Sequence, residues 1–109
     1  MRYKPIRLGN TVPSFVGRLM IDTDLVSGGY CVLTYDRETV AAIRNIAMPP
    51  AQILNLCLID WNVTREGKRL PITRRSIEQH VRLELIVLML GAILDNEDHP
   101  QIPPKVTST

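Results

Sequence analysis

The chain is poor in aromatic residues. In 109 positions it has one Trp, one Phe and three Tyr: Trp61, Phe15, Tyr3, Tyr30 and Tyr35. With 45% hydrophobic residues the core must be aliphatic, and base stacking on a row of aromatic rings is excluded. Histidine is as scarce. His80 and His99 are the only groups that ordinarily titrate near neutral pH; one sits on the polar side of a helical stretch and the other near the C-terminus, and both read as solvated. Four serines stand outside any nucleophile-elbow context, and Ser27-Gly28-Gly29-Tyr30 lacks the lysine and the following helix of a phosphate loop. Cys31, Cys57 and His80 are too far apart in sequence, and none has a nearby second ligand, to suggest zinc. The expectation is no catalytic residue, no metal and no cofactor.

Charge of one sign is also lacking. Thirteen basic against eleven acidic residues leave +2, too little to draw nucleic acid or an anionic membrane. The longest apolar run, Leu83 to Leu94, spans about 18 Å as a helix, short of a bilayer, and Glu84 interrupts it. Met1-Arg2 is followed by no apolar leader, so a cytoplasmic protein is expected, with both cysteines as buried free thiols.

The length suits one domain of α+β class: a β-rich part over 1–35, a helical part over 36–96, and a flexible Pro-rich tail over 99–109. Tyr3 to Leu8, interrupted by Pro5, reads as an edge strand or arm. Phe15 to Ile21 and Tyr30 to Tyr35 read as strands, the second introduced by Gly28-Gly29, and the three make a small antiparallel sheet. Asp36 caps a helix running to Ala47, which Met48-Pro49-Pro50 ends. Ala51 to Ile59 reads as a second short helix. Asp60 to Pro71 is a connector turning at Glu66-Gly67, where Trp61-Asn62-Val63 and Arg69-Leu70 pair as a short hairpin. Thr73 then caps one long helix from Arg74 to about Asn96.

That helix is amphipathic at first, with Ile77, Val81, Leu85 and Leu88 on one stripe. From Leu83 it is apolar nearly all round and needs cover on every side. Either the preceding helices wrap it, or a partner does. A small sheet and two short helices cover about half of it, which points to a partner at Leu83, Ile86, Val87, Leu88, Met89, Leu90, Ile93 and Leu94 and to a homo-oligomer. Arg65, Lys68, Arg69, Arg74, Arg75 and Arg82 form a basic cluster. It reads first as a solvated face and second as an electrostatic contact for an acidic protein. It lacks the interleaved aromatic and amide side chains of a nucleic-acid reader.

Residues 58–73, Leu-Ile-Asp-Trp-Asn-Val-Thr-Arg-Glu-Gly-Lys-Arg-Leu-Pro-Ile-Thr, resemble a motif of the tail assembly chaperones of long-tailed bacteriophages. There an apolar stretch ends in Trp, a polar turn carries Gly-Lys, and Leu-Pro with a Thr cap opens a helix; Trp61, Gly67, Pro71 and Thr73 hold these places. The order of elements over about 36–95 is similar as well, while the β-rich first 35 residues have no counterpart. The resemblance implies a viral protein that binds the hydrophobic, helical tape measure protein during tail assembly and is absent from the finished virion. Two other roles fit the residues: a structural subunit of a virion or other complex, and a small regulator docking its basic face on an acidic protein.

Overall fold

A computed structural model describes residues 3–6 and 15–99. The arm at Arg7-Leu8 and positions 100–109 of the expected tail lie outside the described residues. The order of elements is β1 (Tyr3–Pro5), β2 (Val16–Asp22), β3 (Tyr30–Asp36), α1 (Arg37–Ile43), α2 (Pro50–Cys57), β4 (Leu58–Trp61), β5 (Thr64–Arg65), β6 (Lys68–Arg69), α3 (Arg74–His80) and α4 (Leu83–Asp98). It is an α+β fold with an antiparallel sheet ordered β1-β2-β3-β4.

The sheet separates its faces by alternation. Leu19 pairs with Leu33 and Ile21 with Cys31, and all four are fully buried on the inner face. Arg18, Met20, Val32 and Thr34 alternate with them on the outer face, where Arg18 Nε donates to Thr34 Oγ1 at 2.9 Å. Gly17 lies opposite Tyr35; a Cβ there would fall 2.5 Å from the ring, so only glycine admits the tyrosine in its place.

The fourth strand corrects the sequence reading, which carried the second helix through to Ile59. α2 ends at Cys57, and Leu58 turns extended at φ −75° and ψ 133°. A dense apolar run does not separate helix from strand by period. The free edge of β3 decides it: Leu58 pairs with Tyr35, Asp60 with Thr34 and Trp61 with Leu33. Ile59 is the extra residue of a bulge and stands half in solvent, while Leu58 and Trp61 turn inward.

Two helix boundaries also move. Asp36 caps α1 as expected, its Oδ1 accepting from Glu38 N at 3.0 Å and Thr39 N at 3.3 Å, but the helix ends at Ile43 and leaves Ala47 outside. The expected long helix is two. Thr73 caps α3, its Oγ1 accepting from Ser76 N at 3.1 Å, and then Val81 and Arg82 are extended before α4 begins. No Gly or Pro marks this break. Tertiary packing overrides local propensity: Val81 is buried in its extended form, α3 lies against α2, and α4 crosses the sheet. The hairpin closes nearer its turn than expected, Thr64 pairing with Arg69 and Arg65 with Lys68, while of the expected pairs Leu70 N still donates to Val63 O. Glu66 (φ 55°) and Gly67 (φ 78°) make its turn, the positive-φ pair that suits a two-residue loop.

The inner sheet face, Leu54 and Cys57 of α2, Ile77 of α3 and the inner side of α4 form one core. Both cysteines are free and buried within it. Burial pushes each thiol up from its ordinary 9.0 to about 11, with the Asp36 carboxylate contributing at Cys57. Burial and the Asp95 carboxylate push the Tyr3 phenol from 10.0 up to about 12. These groups are held neutral by folding, so their contribution to stability is complete below pH 9.0. It is lost as pH rises through 9.0 to about 11 for the thiols and 10.0 to about 12 for Tyr3. Thermal melts should therefore be flat from neutral pH to about 9 and fall above it. Iodoacetamide at pH 8 should label both thiols only after denaturant is added; labelling of the native protein would show the core open.

Candidate protein-docking face

α4 is apolar nearly all round; one row of it is buried in the core, Leu88, Leu90 and Leu94 pack at the margins of that row, and Leu83 and Val87 stay exposed. Leu85, Ile86, Met89, Ala92 and Ile93 are buried against the sheet and α2. This narrows the expected contact surface: Ile86, Met89 and Ile93, read as partner-binding from sequence, are spent inside the fold at 4%, 0% and 1% exposure. Leu88 is half-buried. The row beside this core side carries Leu83 at 65% and Val87 at 55% exposure and runs on into Leu90 and Leu94, which are half-buried and packed against the core. Their spacing of four, three and four residues puts them in one stripe along the helix.

The stripe continues into depressions at both ends. Near the start of α4, Pro49, Pro50, Val81 and Leu83 line a shallow hollow of about 280 Å³. Toward its end, Leu90 and Leu94 meet Ile43 of α1 and Ile53 of α2 around a small apolar notch of about 40 Å³, with Arg44 beside it. Ile46 and Leu56 are also exposed large aliphatics, on the α1–α2 connection and on α2.

The C-terminal end of α4 is fastened down by contacts between residues far apart in sequence. Tyr35 Oη donates to Glu97 Oε2 at 2.7 Å and accepts from Asn96 Nδ2 at 2.8 Å. Arg37 Nε lies 3.0 Å from Glu97 Oε1, Arg44 pairs with both Asp98 oxygens at 2.6 and 2.8 Å, and Tyr3 Oη donates to Asp95 at 2.7 Å. The Arg44 guanidinium holds the Asp98 carboxyl below its usual range. These pairs fix how α4 lies on the sheet and hence which side of it is left outward.

The motif residues are structural. Trp61 is 2% exposed, and its Nε1 donates to the Leu70 carbonyl at 2.8 Å while Leu70 N donates back to Val63 O at 2.9 Å. This closes the connector into a clasp that delivers Thr73 to the start of α3. Gly67 supplies the turn and Pro71 is exposed behind it. The basic residues are carried by successive pieces of the chain: Arg65, Lys68 and Arg69 stand on the hairpin, Arg74 and Arg75 in the first turn of α3, and Arg82 in the α3–α4 break. Arg69 pairs with Asp60 at 2.8 Å, Arg74 with Glu78 at 3.3 Å and Gln52 at 3.1 Å, and Arg65 with Glu66 at 3.7 Å. On the outer sheet face Arg18, Thr34, Asp60, Asn62 and Arg69 line an open hollow of about 320 Å³.

His80 and His99 are exposed. Among the described residues no group of three or more His, Cys, Asp or Glu is placed to hold a metal ion, and no helix is long and apolar enough to cross a membrane. The chain matches no family model, no curated protein and no solved structure.

Proposed function

We propose that this protein is a protein-binding module of the tail assembly chaperone type, and that it holds a hydrophobic helical client, the tape measure protein, against the outward stripe of α4. The observation that carries the reading is the exposure of Leu83 and Val87 at the head of an aliphatic stripe continued by Leu90 and Leu94. Burying a Leu or Val side chain is worth about 1.5–3 kcal/mol, so a stripe left open is a standing drive for association. An apolar helix laid along it would meet aliphatic side chains at every turn, with the two depressions receiving its larger ones. The assignment to tail assembly is supported by the resemblance of residues 58–73.

The mode of binding separates this reading from docking through the basic residues. Co-expressed with a tape measure protein, the chain should be recovered in a complex whose affinity barely changes as salt rises to about 0.5 M, because screening acts on exposed charges and leaves apolar contact intact. Alanine at Arg74 and Arg75 should leave the complex in place. A steep loss of affinity with salt, or loss with that double variant, would move the contact to the basic residues and favour a regulator of an acidic protein.

A further inference from the structure

We propose that the outward stripe of α4 also pairs with the same stripe of a second copy of this chain, antiparallel, about a two-fold axis passing between Leu88 and Met89. The proposal stands on the geometry of the stripe and not on the identity of any client.

The spacing is the first reason. Leu83, Val87, Leu90 and Leu94 read four, three, four, the same in both directions. Turned end for end about its midpoint, the stripe meets itself: Leu83 of one copy against Leu94 of the other, and Val87 against Leu90. That self-complementarity is what a two-fold interface requires of a single surface. Gly91, at the edge of the stripe, leaves the backbone bare where the second helix must come close.

Charge chooses the direction. The last turn of α4 holds Asp95, Glu97 and Asp98 with no basic residue of its own, at the end where the helix dipole is already negative. Arg37 and Arg44, reaching across from the α1 region, offset two of the three. A parallel pair would stack two such acidic ends. An antiparallel pair brings to each the opposite end of its neighbour, with exposed Arg82 and first-turn N–H groups that no side chain caps. Glu84 stands at that end too, so the gain is modest and the apolar stripe supplies most of the attraction.

The size of the stripe sets the strength. A helix of this length runs about 24 Å and is about 10 Å across, a contact of a few hundred Å². Stable dimers bury about 800 Å² on each partner. Even with Ile43 and Ile53 added at the rim the pair is expected to be reversible and micromolar, weak enough for a long helical client to displace the second copy from the same stripe.

Sedimentation velocity from about 1 μM to about 1 mM should show a monomer giving way to a dimer, with a midpoint in the micromolar range. Val87→Asp should shift that midpoint at least about tenfold higher with an unchanged circular dichroism spectrum, since Val87 touches solvent and not the core. For direction, Leu83→Cys and Leu94→Cys chains are oxidised separately and as an equal mixture. Cys31 and Cys57 are buried and do not interfere. The mixture should cross-link and neither variant alone should. A monomer over the whole range, a dimer indifferent to Val87→Asp, or Leu83→Cys cross-linking to itself as readily as in the mixture would each overturn the proposal. Failure of a tape measure protein to bind would leave these results as they are.

Discussion

Trp61→Ala should lower the stability of the folded protein by about 3–5 kcal/mol, the usual cost of removing a large buried aromatic side chain. The ring is 2% exposed, the largest of the fully buried side chains, in a core otherwise almost wholly aliphatic. Its loss leaves a cavity between β4 and the hairpin. It also strips the buried Leu70 carbonyl of its donor, and an unpaired buried acceptor costs about 1–3 kcal/mol within that total. Trp61→Phe separates the two effects: much of the volume stays and the hydrogen bond goes, so about 1–3 kcal/mol is expected. Urea unfolding followed by circular dichroism reads both. Against a typical total stability of about 5–15 kcal/mol, that loss is a large share of the margin, and the alanine variant should melt well below the parent protein. A loss below about 1 kcal/mol would mean that the clasp between Trp61 and Leu70 does not hold the connector, and that α3 is placed by its contacts with α2 instead.

Trp61 and Thr73 also show which parts of the fold could be read in advance. Capping and turn chemistry is local, so Asp36, Thr73 and Glu66-Gly67 are legible from a few neighbouring residues. The three N-terminal strands are legible from period and punctuation. What depends on distant partners is not. Leu58 to Trp61 becomes a strand because β3 offers an edge, and nothing within that run says so. The break at Val81-Arg82 has no Gly or Pro to announce it. The Tyr35–Glu97 hydrogen bond joins residues 62 positions apart and leaves no local trace in either segment.

The docking face was half legible for the same kind of reason. From Leu83 to Leu94 nearly every residue is aliphatic, so there is no alternation to say which side faces inward. The run therefore read as an excess needing cover; Leu83 and Val87 are left exposed, while Ile86, Met89 and Ile93 are covered by the chain itself. Once the Tyr35, Arg37 and Arg44 contacts turn α4 on the sheet, the excess reduces to one stripe. A strip one residue wide suits a helix as its partner better than a globular surface, because a helix presents a matching row of side chains at the same pitch.

Met89→Asp should unfold the protein, while Val87→Asp, two residues away on the same helix, should leave it folded. Met89 is fully buried against the sheet, and a carboxylate there has no water and no basic partner among the buried residues of the core. Its side chain would either carry an uncompensated charge or take up a proton. With the lost packing, either route costs about 4 kcal/mol or more, in the range reserved for buried charges and core cavities. Val87 is 55% exposed, so an aspartate there keeps its hydration, and the cost is about 0.5 kcal/mol or less, that of an ordinary surface change. Thermal melts at low micromolar concentration give both values. If Val87→Asp were as damaging as Met89→Asp, α4 would have to be covered on its outward side within a single chain, and no stripe would be left for a client or a second copy. If both were mild, α4 would not be seated in the core, and the inward row of Leu85, Met89 and Ile93 would be the surface on offer. A large loss at Met89 with none at Val87 is the one result in which α4 has a closed side and an open one.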